Sequence, residues 1–517
     1  MFQWGLCALG SLSLLSACHE PANPQAVNNG TVKTSAPTQA HVTAAHVPKP
    51  LEWASCHGSA YQSWFTQEIP SNLQCASLDV PLSYEALPLS TDTAAQQRVT
   101  LTLTRLPSPQ RKQGDLVVVA GGPGESGMNP SVAPSAANAP LLAAYDIIGY
   151  APRGVAPSTP TISCPVAAHE QSDSTVSENE QFVRSCIEHT GLDVLKHIST
   201  RDAVNDLEQI RKALGNAQLT AIGYSYGTKV VASYAEQFPQ SVRALVLDGV
   251  VDLSEDYFTQ RINQEKGFQA TFERFAAYCA RERACFLSAE PQIAETQFHQ
   301  LLRQLESKPV IVDANIVDAN TRIGVDEVLS AMGTYLLWDD HWPDLAHALQ
   351  ALKRGSARPF AQLMQQLPNE AANDALGAIN CADGAVHMDK EHALVQWRRV
   401  DEAATFGDHR PKTEAELLES CHFWPHPGTD QARIPIVAKD LPKLLFVAQR
   451  HDPTTPYQNA VRMAQYFNSP LLTREGDGHT LALSGVSSCV DQEVVAYLLH
   501  NGLLRSGYEA KDRSCAS

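Results

Sequence analysis

The chain predicts an α/β architecture, a mostly parallel central sheet interrupted by an inserted, mainly helical domain. Apolar β-rich runs alternate with helical periods from about residue 101 to 252, that rhythm stops over 253–439, and it resumes at Leu441. Within the first block, Ile222–Gly227 reads I-G-Y-S-Y-G, a G-x-S-x-G element between the apolar run Leu219–Ile222 and a helical run that Pro239 stops. A serine on so sharp a strand-to-helix turn is pushed out at the sheet edge with its hydroxyl exposed. Ser225 is therefore the candidate nucleophile. A five-residue match is weak by itself, and the strand-like Arg243–Leu247 that follows completes the required strand, elbow, helix, strand setting.

Taken in order, Leu101–Leu106 alternates weakly and reads as an early edge strand. Asp115–Ala120 is almost wholly apolar, as a parallel strand covered on both faces must be, and it runs into Gly121-Gly-Pro-Gly-Glu-Ser-Gly127. Glycines there let the backbone approach a ligand closely. An elbow serine needs one oxyanion N–H from such a loop and one from the residue after it, so Gly122 and Tyr226 are the candidate donors. The run lacks a P-loop Lys-Ser/Thr and misses the dinucleotide spacing, which disfavours phosphate binding. Tyr145–Gly149 is the next strand. Arg201–Leu214, apolar at Val204, Leu207, Ile210 and Leu214, is an amphipathic helix with Thr200 as its cap and Gly215 at its end.

Between 253 and 439 the expected helices are Phe268–Ala280, Ile293–Leu305, Val328–Leu337, Leu345–Leu352 and Phe360–Leu367, together a cap lying over the elbow. The strand Leu441–Val447 then leads to Asp452. A helix carrying Ala460, Met463 and Phe467 follows, then the strand Leu471–Thr473, Gly476-Asp-Gly-His479 and a last helix, Cys489–His500. Asp452 and His479 each sit just past a strand, and Ser225, Asp452, His479 is the chain order of an elbow serine, its acid and its base. In those roles His479 takes the serine proton, while Asp452 fixes the imidazole tautomer and stabilises the imidazolium. Asp248 and Asp252 are second choices for the acid, Asp477 reads as a turn former, and His451 as a neighbour of the acid.

The first seventeen residues form an export signal, with Met1–Leu15 apolar and free of acidic residues. Leu15-Ser-Ala-Cys18 ends it in the manner of a bacterial lipoprotein box, so Cys18 is the candidate lipidation site. The opening residues carry no Lys or Arg, and ordinary secretory cleavage is the alternative. Residues 18–50, rich in Ala, Pro, Asn, Thr and Val, read as the lipidated cysteine and a flexible tether. The expected location is the periplasm, anchored to a membrane by lipid. The body divides into 51–252 (core), 253–439 (cap) and 440–517 (core). No other apolar stretch is long enough to cross a bilayer.

Setting aside Cys7 and Cys18, ten of the twelve cysteines remain, an even number that argues for disulfides in an exported chain. Sequence does not fix connectivity. Pairing of neighbours gives Cys56–Cys75, Cys164–Cys186, Cys279–Cys285, Cys381–Cys421 and Cys489–Cys515. Without a tight C-x-x-C pair, no metal site is expected. Lys plus Arg number 39 against 56 Asp plus Glu, a formal charge of -17. That disfavours nucleic acid and anionic membrane surfaces as partners. It is compatible with cationic ligands such as peptide N-termini, and equally with a solvated acidic surface.

The motifs Gly121-Gly-Pro-Gly-x-Ser-Gly, Asp146–Ser158, Gly223-Tyr-Ser-Tyr-Gly-Thr, Leu247-Asp-Gly-Val-Val-Asp, Asp452-x-x-Thr-Pro and Gly478-His479 together resemble the alpha/beta-hydrolase serine peptidases grouped with prolyl aminopeptidase. Within that group the chain is similar to the secreted tripeptidyl-aminopeptidase-like proteins of bacteria. Ala378-Ile-Asn-Cys-Ala-Asp383 and Cys421-x-x-Trp424-Pro mark the cap, and Ser488–Cys515 the subgroup's C-terminal region. The resemblance implies an alpha/beta-hydrolase fold with a helical cap and hydrolysis of short peptides from a free N-terminus. It implies no metal or organic cofactor, carries over Ser225, Asp452 and His479 as the triad, and makes the glycine loop part of the oxyanion site. One departure is Ala151 and Ala156, where the family has an aspartate and a second glycine in Asp-x-Arg-Gly-x-Gly-x-Ser; Arg153 and Ser158 remain. An exopeptidase must hold a cationic amine, which a carboxylate does by a charge-assisted hydrogen bond; Asp383 and Glu125 are the candidates. Tyr224, Tyr226, Trp338 and Trp424 are candidates for a side-chain pocket. Two other functions compete: an esterase or amidase acting on small acyl substrates, and a non-catalytic envelope binding protein.

Overall fold

The computed structural model describes residues 48–58, 61–65, 69–85, 97–110, 112–129, 132–165, 176–312, 322–365, 370–500, 502 and 513–516. The signal, Cys18 and the tether up to residue 47 lie outside the described residues. In chain order the strands are β1 (Ala54–Ser55), β2 (Gln74–Pro81), β3 (Arg98–Leu106), β4 (Gly114–Val119), β5 (Tyr145–Ala151), β6 (Leu219–Tyr224), β7 (Val242–Asp248), β8 (Val310–Ile311), β9 (Arg322–Ile323), β10 (Leu445–His451), β11 (Leu471–Asp477) and β12 (Arg513–Cys515). The main sheet runs β1-β2-β3-β5-β4-β6-β7-β10-β11-β12. It is antiparallel from β1 to β5 and parallel from there to β12.

The central strands are buried on both faces, as their unbroken apolar runs require. On one face Val117, Ile148 and Leu245 pack against Val204, Leu207 and Ile210 of helix Thr200–Ala213 and against Val230, Val231 and Tyr234 of helix Tyr226–Gln237. On the other, Leu116, Ile222 and Val447 meet Leu141 and the Val490, Val494 and Leu498 stripe of helix Ser488–Leu499. Two helical layers thus clamp the sheet and leave the carboxyl ends of the parallel strands free to carry loops.

Several elements differ from the sequence expectation. β3 is not an edge, because β2 and β1 lie outside it. β10 begins at Leu445 rather than Leu441: Pro442 has no N–H to give a ladder, and the strand starts beyond it. Ser199, not Thr200, is the N-cap of helix Thr200–Ala213. The stretch between β7 and β10 holds helices Tyr257–Glu282, Pro291–Ser307, Val325–Tyr335, Trp342–Lys353 and Arg358–Met364, with Glu370–Gly384 and Lys390–Asp401 beyond those expected. It has its own apolar cluster, which includes Phe272, Phe275, Phe298, Met332 and Phe360. The excursion between β5 and β6 leaves the sheet, and its Val155, Ile162, Val183 and Ile198 pack on Ala378, Ile379 and Trp424 of the cap. Trp424 is therefore a core residue.

Disulfides join Cys56 to Cys75, Cys164 to Cys186, Cys279 to Cys285, Cys381 to Cys421 and Cys489 to Cys515. Among the described residues no helix is long and apolar enough to cross a membrane.

Candidate active site

Ser225 sits between β6 and helix Tyr226–Gln237 with φ 53° and ψ -122°, a conformation seldom adopted by a residue with a side chain. Its neighbours make the bend possible. A Cβ on Gly223 would lie 2.5 Å from the carbonyl oxygen of Gly227, and one on Gly227 would run into the Val119 carbonyl. Only glycine fits at either position. The G-x-S-x-G spacing is thus the steric condition for β6 to turn into a helix against β4.

The loop after β4 lies against the nucleophile, since a Cβ on Gly121 would stand 3.0 Å from the Ser225 Cβ. Gly122, the candidate donor, is the next residue. Tyr226, the other, opens the helix, and its hydroxyl hydrogen-bonds with that of Thr200 at 2.8 Å.

Asp452 follows β10 directly and is 5% exposed. Its Oδ1 accepts the backbone N–H groups of Thr454 at 2.9 Å and Thr455 at 2.8 Å. Its Oδ2 accepts the Thr455 hydroxyl at 2.9 Å and lies 2.8 Å from His479 Nδ1. Oδ1 stands 3.0 Å from the same nitrogen, so the carboxylate is held in one orientation with both oxygens facing the ring. His479 itself is buried. Desolvation pulls its pKa down, but the charge and hydrogen bond of Asp452, joined by the charges of Asp248 and Glu125, outweigh it and raise the value above the ordinary one.

Ser225 and His479 both touch the end of β7. The Ser225 N–H donates to the Asp248 carbonyl at 2.8 Å. The next residue, Gly249 (φ 70°), lies under the imidazole, where a Cβ would stand 2.9 Å from Cε1 of His479. Cap and core meet here as well. Trp338 bridges to Gly478, and its indole N–H donates to the His479 carbonyl at 2.5 Å. A cavity of about 560 Å³ opens alongside, lined among others by Gly121, Glu125, Tyr224, Trp338, Asp339 and Leu481.

The sequence candidates for amine binding separate in space. Glu125 lines the cavity, with its Oε2 3.7 Å from the Cβ position on Gly121 that also faces Ser225. It is an exposed residue, yet enough protein surrounds its carboxyl that desolvation raises its pKa against the lowering charge of His479. Asp383 has a different occupation. Its Oδ1 accepts the Thr200 N–H at 2.7 Å, and its Oδ2 accepts the Thr200 hydroxyl at 2.5 Å and the Lys229 ammonium at 2.9 Å. Only 3% exposed, it joins the cap to two core helices with both oxygens already engaged. Asp252 is engaged by Arg462, away from the imidazole. Around the Ala151 and Ala156 departures, Arg153 is held by Asp206 (Nε to Oδ2 2.6 Å), while Ser158 donates to the Ala151 carbonyl at 2.7 Å and accepts the Thr102 N–H at 2.8 Å. Thr455, which holds Asp452, and Trp338, which holds the His479 carbonyl, have no such contact in the sequence reading. The Asp-x-x-Thr spacing carried a signal for the first; nothing in the sequence showed the second reaching Gly478.

The fold and this site define an alpha/beta hydrolase, and the chain belongs to that family: the alpha/beta hydrolase fold model matches residues 116–486. More particularly, the chain is 40% identical over 467 residues to the putative hydrolase YuaR of Escherichia coli K12, covering 87% of this chain and 91% of that one. It is 33% identical to the serine protease Hip1 of Mycobacterium tuberculosis H37Rv (89% and 91% covered) and 30% to a carboxylesterase B of the same strain (91% and 92%). It is 27% identical to the tripeptidyl aminopeptidase of Streptomyces coelicolor (90% and 86%). The chain is a serine hydrolase, and the Hip1 and tripeptidyl aminopeptidase similarities support a peptidase.

Proposed function

We propose that this protein is an exported serine exopeptidase that cleaves short peptides from a free N-terminus through an acyl-enzyme on Ser225. The observation that carries the reading is the placement of Glu125 in the cavity beside the elbow, on the same glycine that faces Ser225. A carboxylate there holds the substrate's ammonium group a short reach from the nucleophile, so a peptide is cut near its N-terminus.

In this reaction His479 takes the proton from the Ser225 hydroxyl as the oxygen attacks the scissile carbonyl. The N–H groups of Gly122 and Tyr226 receive the charge that develops on the carbonyl oxygen. His479 then passes the proton to the departing amine and the C-terminal portion leaves. Water attacks the ester, its proton going to His479 and then back to Ser225, and the N-terminal fragment is released. Asp452 keeps the ring in the tautomer that accepts at Nε2. The signal-like start and Cys18 support delivery to the periplasm on a lipid anchor.

An esterase on small acyl substrates is the second reading, favoured by the carboxylesterase relative. Turnover of matched peptide amides with free and acetylated N-termini, alongside short acyl esters, separates the two. The exopeptidase reading expects acetylation to abolish cleavage and Glu125→Gln to raise KM for the free peptide. Equal turnover of both peptides, or turnover of esters alone, overturns it. Lipid anchoring predicts label from a radioactive fatty acid on the wild-type chain in the producing cell, and none on Cys18→Ser.

A further inference from the structure

β7 ends in an acid that the proposed chemistry leaves unused. Asp248 is fully buried. Its backbone carbonyl holds the N–H of Ser225. Its side-chain Oδ2 accepts the N–H groups of Leu481 and Ala482, both at 2.7 Å, two and three residues beyond His479. One residue therefore grips the nucleophile through its main chain and the loop of the base through its side chain. That loop needs gripping: Thr480 and Leu483 adopt φ of 54° and 63°, values that non-glycine residues seldom take up without outside restraint. Tyr224 adds a second tie, donating its hydroxyl to the Ala482 carbonyl at 2.8 Å.

The other oxygen of Asp248, Oδ1, is buried and has no hydrogen-bond partner among the described residues. An unsatisfied acceptor on a dehydrated carboxylate is costly, and an asparagine would hold the same two N–H groups without the charge, so the loop contacts alone do not call for an acid. The charged and titratable groups around it are His479 and Asp452 from the loops after β11 and β10, and Tyr224 from β6. Asp491 of helix Ser488–Leu499 acts on the same tyrosine and itself holds the N–H groups of Leu483 and Gly485.

We propose that Asp248 is a positioning residue for the hydrolysis, a second carboxylate behind His479 that fixes the base relative to Ser225 and supports its positive charge. The proposal rests on the triad reading above. Desolvation, the largest influence, raises the Asp248 pKa to about 6 against its two backbone hydrogen bonds and the His479 charge, so the group is ionised at neutral pH and neutralised in mild acid. The sign follows. With Asp248 ionised the imidazolium is stabilised; removing the charge makes His479 easier to deprotonate and moves the acid limb of activity to lower pH.

The test compares wild type, Asp248→Asn and Asp248→Ala in kcat and KM across pH, each normalised to the number of Ser225 sites titrated by a fluorophosphonate. Asp248→Asn keeps an oxygen for the two loop N–H groups and drops the charge. It is expected to lower the acid-limb pKa by roughly half a unit or more. Asp248→Ala also frees the loop and is expected to lose about 10- to 100-fold in kcat with KM within about threefold. A residue that serves folding alone would lower the titratable fraction and leave kcat per site and the pH profile unchanged, which overturns the proposal. Should either variant fail to fold, the wild-type chain still decides: exchange protection of the Leu481 and Ala482 amides is expected to weaken as pH falls through about 6, beyond the change in intrinsic exchange rate. Protection flat across that range contradicts the clamp. Absence of wild-type labelling at Ser225 would instead fail the triad reading.

Discussion

Replacing Asp452 by asparagine isolates one proton. The Oδ1 position faces two backbone N–H donors, from Thr454 and Thr455, so the amide oxygen must settle there. The amide NH2 is then forced onto the Oδ2 site, opposite His479 Nδ1 and the Thr455 hydroxyl. The hydroxyl can turn and accept. The shorter ring contact, 2.8 Å to the Oδ2 site against 3.0 Å to Oδ1, then favours acceptance at Nδ1, which moves the ring proton to Nε2, the nitrogen that has to take the proton of Ser225. Size and burial hardly change, so the fold is expected to persist while the tautomer reverses. In Ser-His-Asp hydrolases such a reversal is worth roughly 10⁴ in rate, or about 5 kcal/mol at 1.36 kcal/mol per decade. The assay is kcat/KM for a chromogenic peptide amide near neutral pH, with thermal melting as the control for folding. An Asp452→Asn variant within about tenfold of wild type refutes the reasoning, because the serine would then be activated by some other base or acid.

Other consequences follow from the same contacts. The raised His479 pKa places the acid limb of kcat/KM above the ordinary histidine value of about 6.5, with activity rising as the ring deprotonates; a limb below that value contradicts the influence of Asp452. Stability runs the other way: the imidazolium pairing contributes fully below the unfolded pKa and is lost as pH rises through the folded one, which melting of Asp452→Ala beside wild type across that window would read. Lys229 is pushed to a higher pKa by Asp383 and Asp430 in spite of desolvation, the largest opposing influence. Lys229→Met leaves Asp383 buried and uncompensated, and the cost is expected to be about 3 kcal/mol in chemical denaturation; a loss under about 1 kcal/mol would show that the pair does not tie cap to core.

What could be read along the chain was set by local sterics. Gly223 and Gly227 must be glycine for β6 to turn into its helix, so the elbow at Ser225 was legible from five residues. Asp452 and His479 each lie just past a short apolar run, and strand-end loops are where a parallel sheet presents function. The position of Asp383 was not legible. Its partner Lys229 is 154 residues away, and a carboxylate bound for a buried ion pair looks along the chain like one bound for a substrate. Trp338 reads along the chain as a pocket candidate and does line the cavity, whereas its contact with the histidine loop depends on how the cap folds back over the sheet. β2 has no counterpart in the sequence reading: exposed Ser77 and Asp79 alternate with buried Leu78 and Val80 over only a few residues, and the ladder to β3 makes them a strand.

The claim beneath all of this is that the hydroxyl of Ser225 is an activated nucleophile. Incubating the protein with a fluorophosphonate and locating the adduct by peptide mass spectrometry tests it most directly. The expected result is one stoichiometric adduct on Ser225, absent from Ser225→Ala and strongly slowed in His479→Ala. An adduct on a different serine, or hydrolysis that persists in Ser225→Ala, would contradict it.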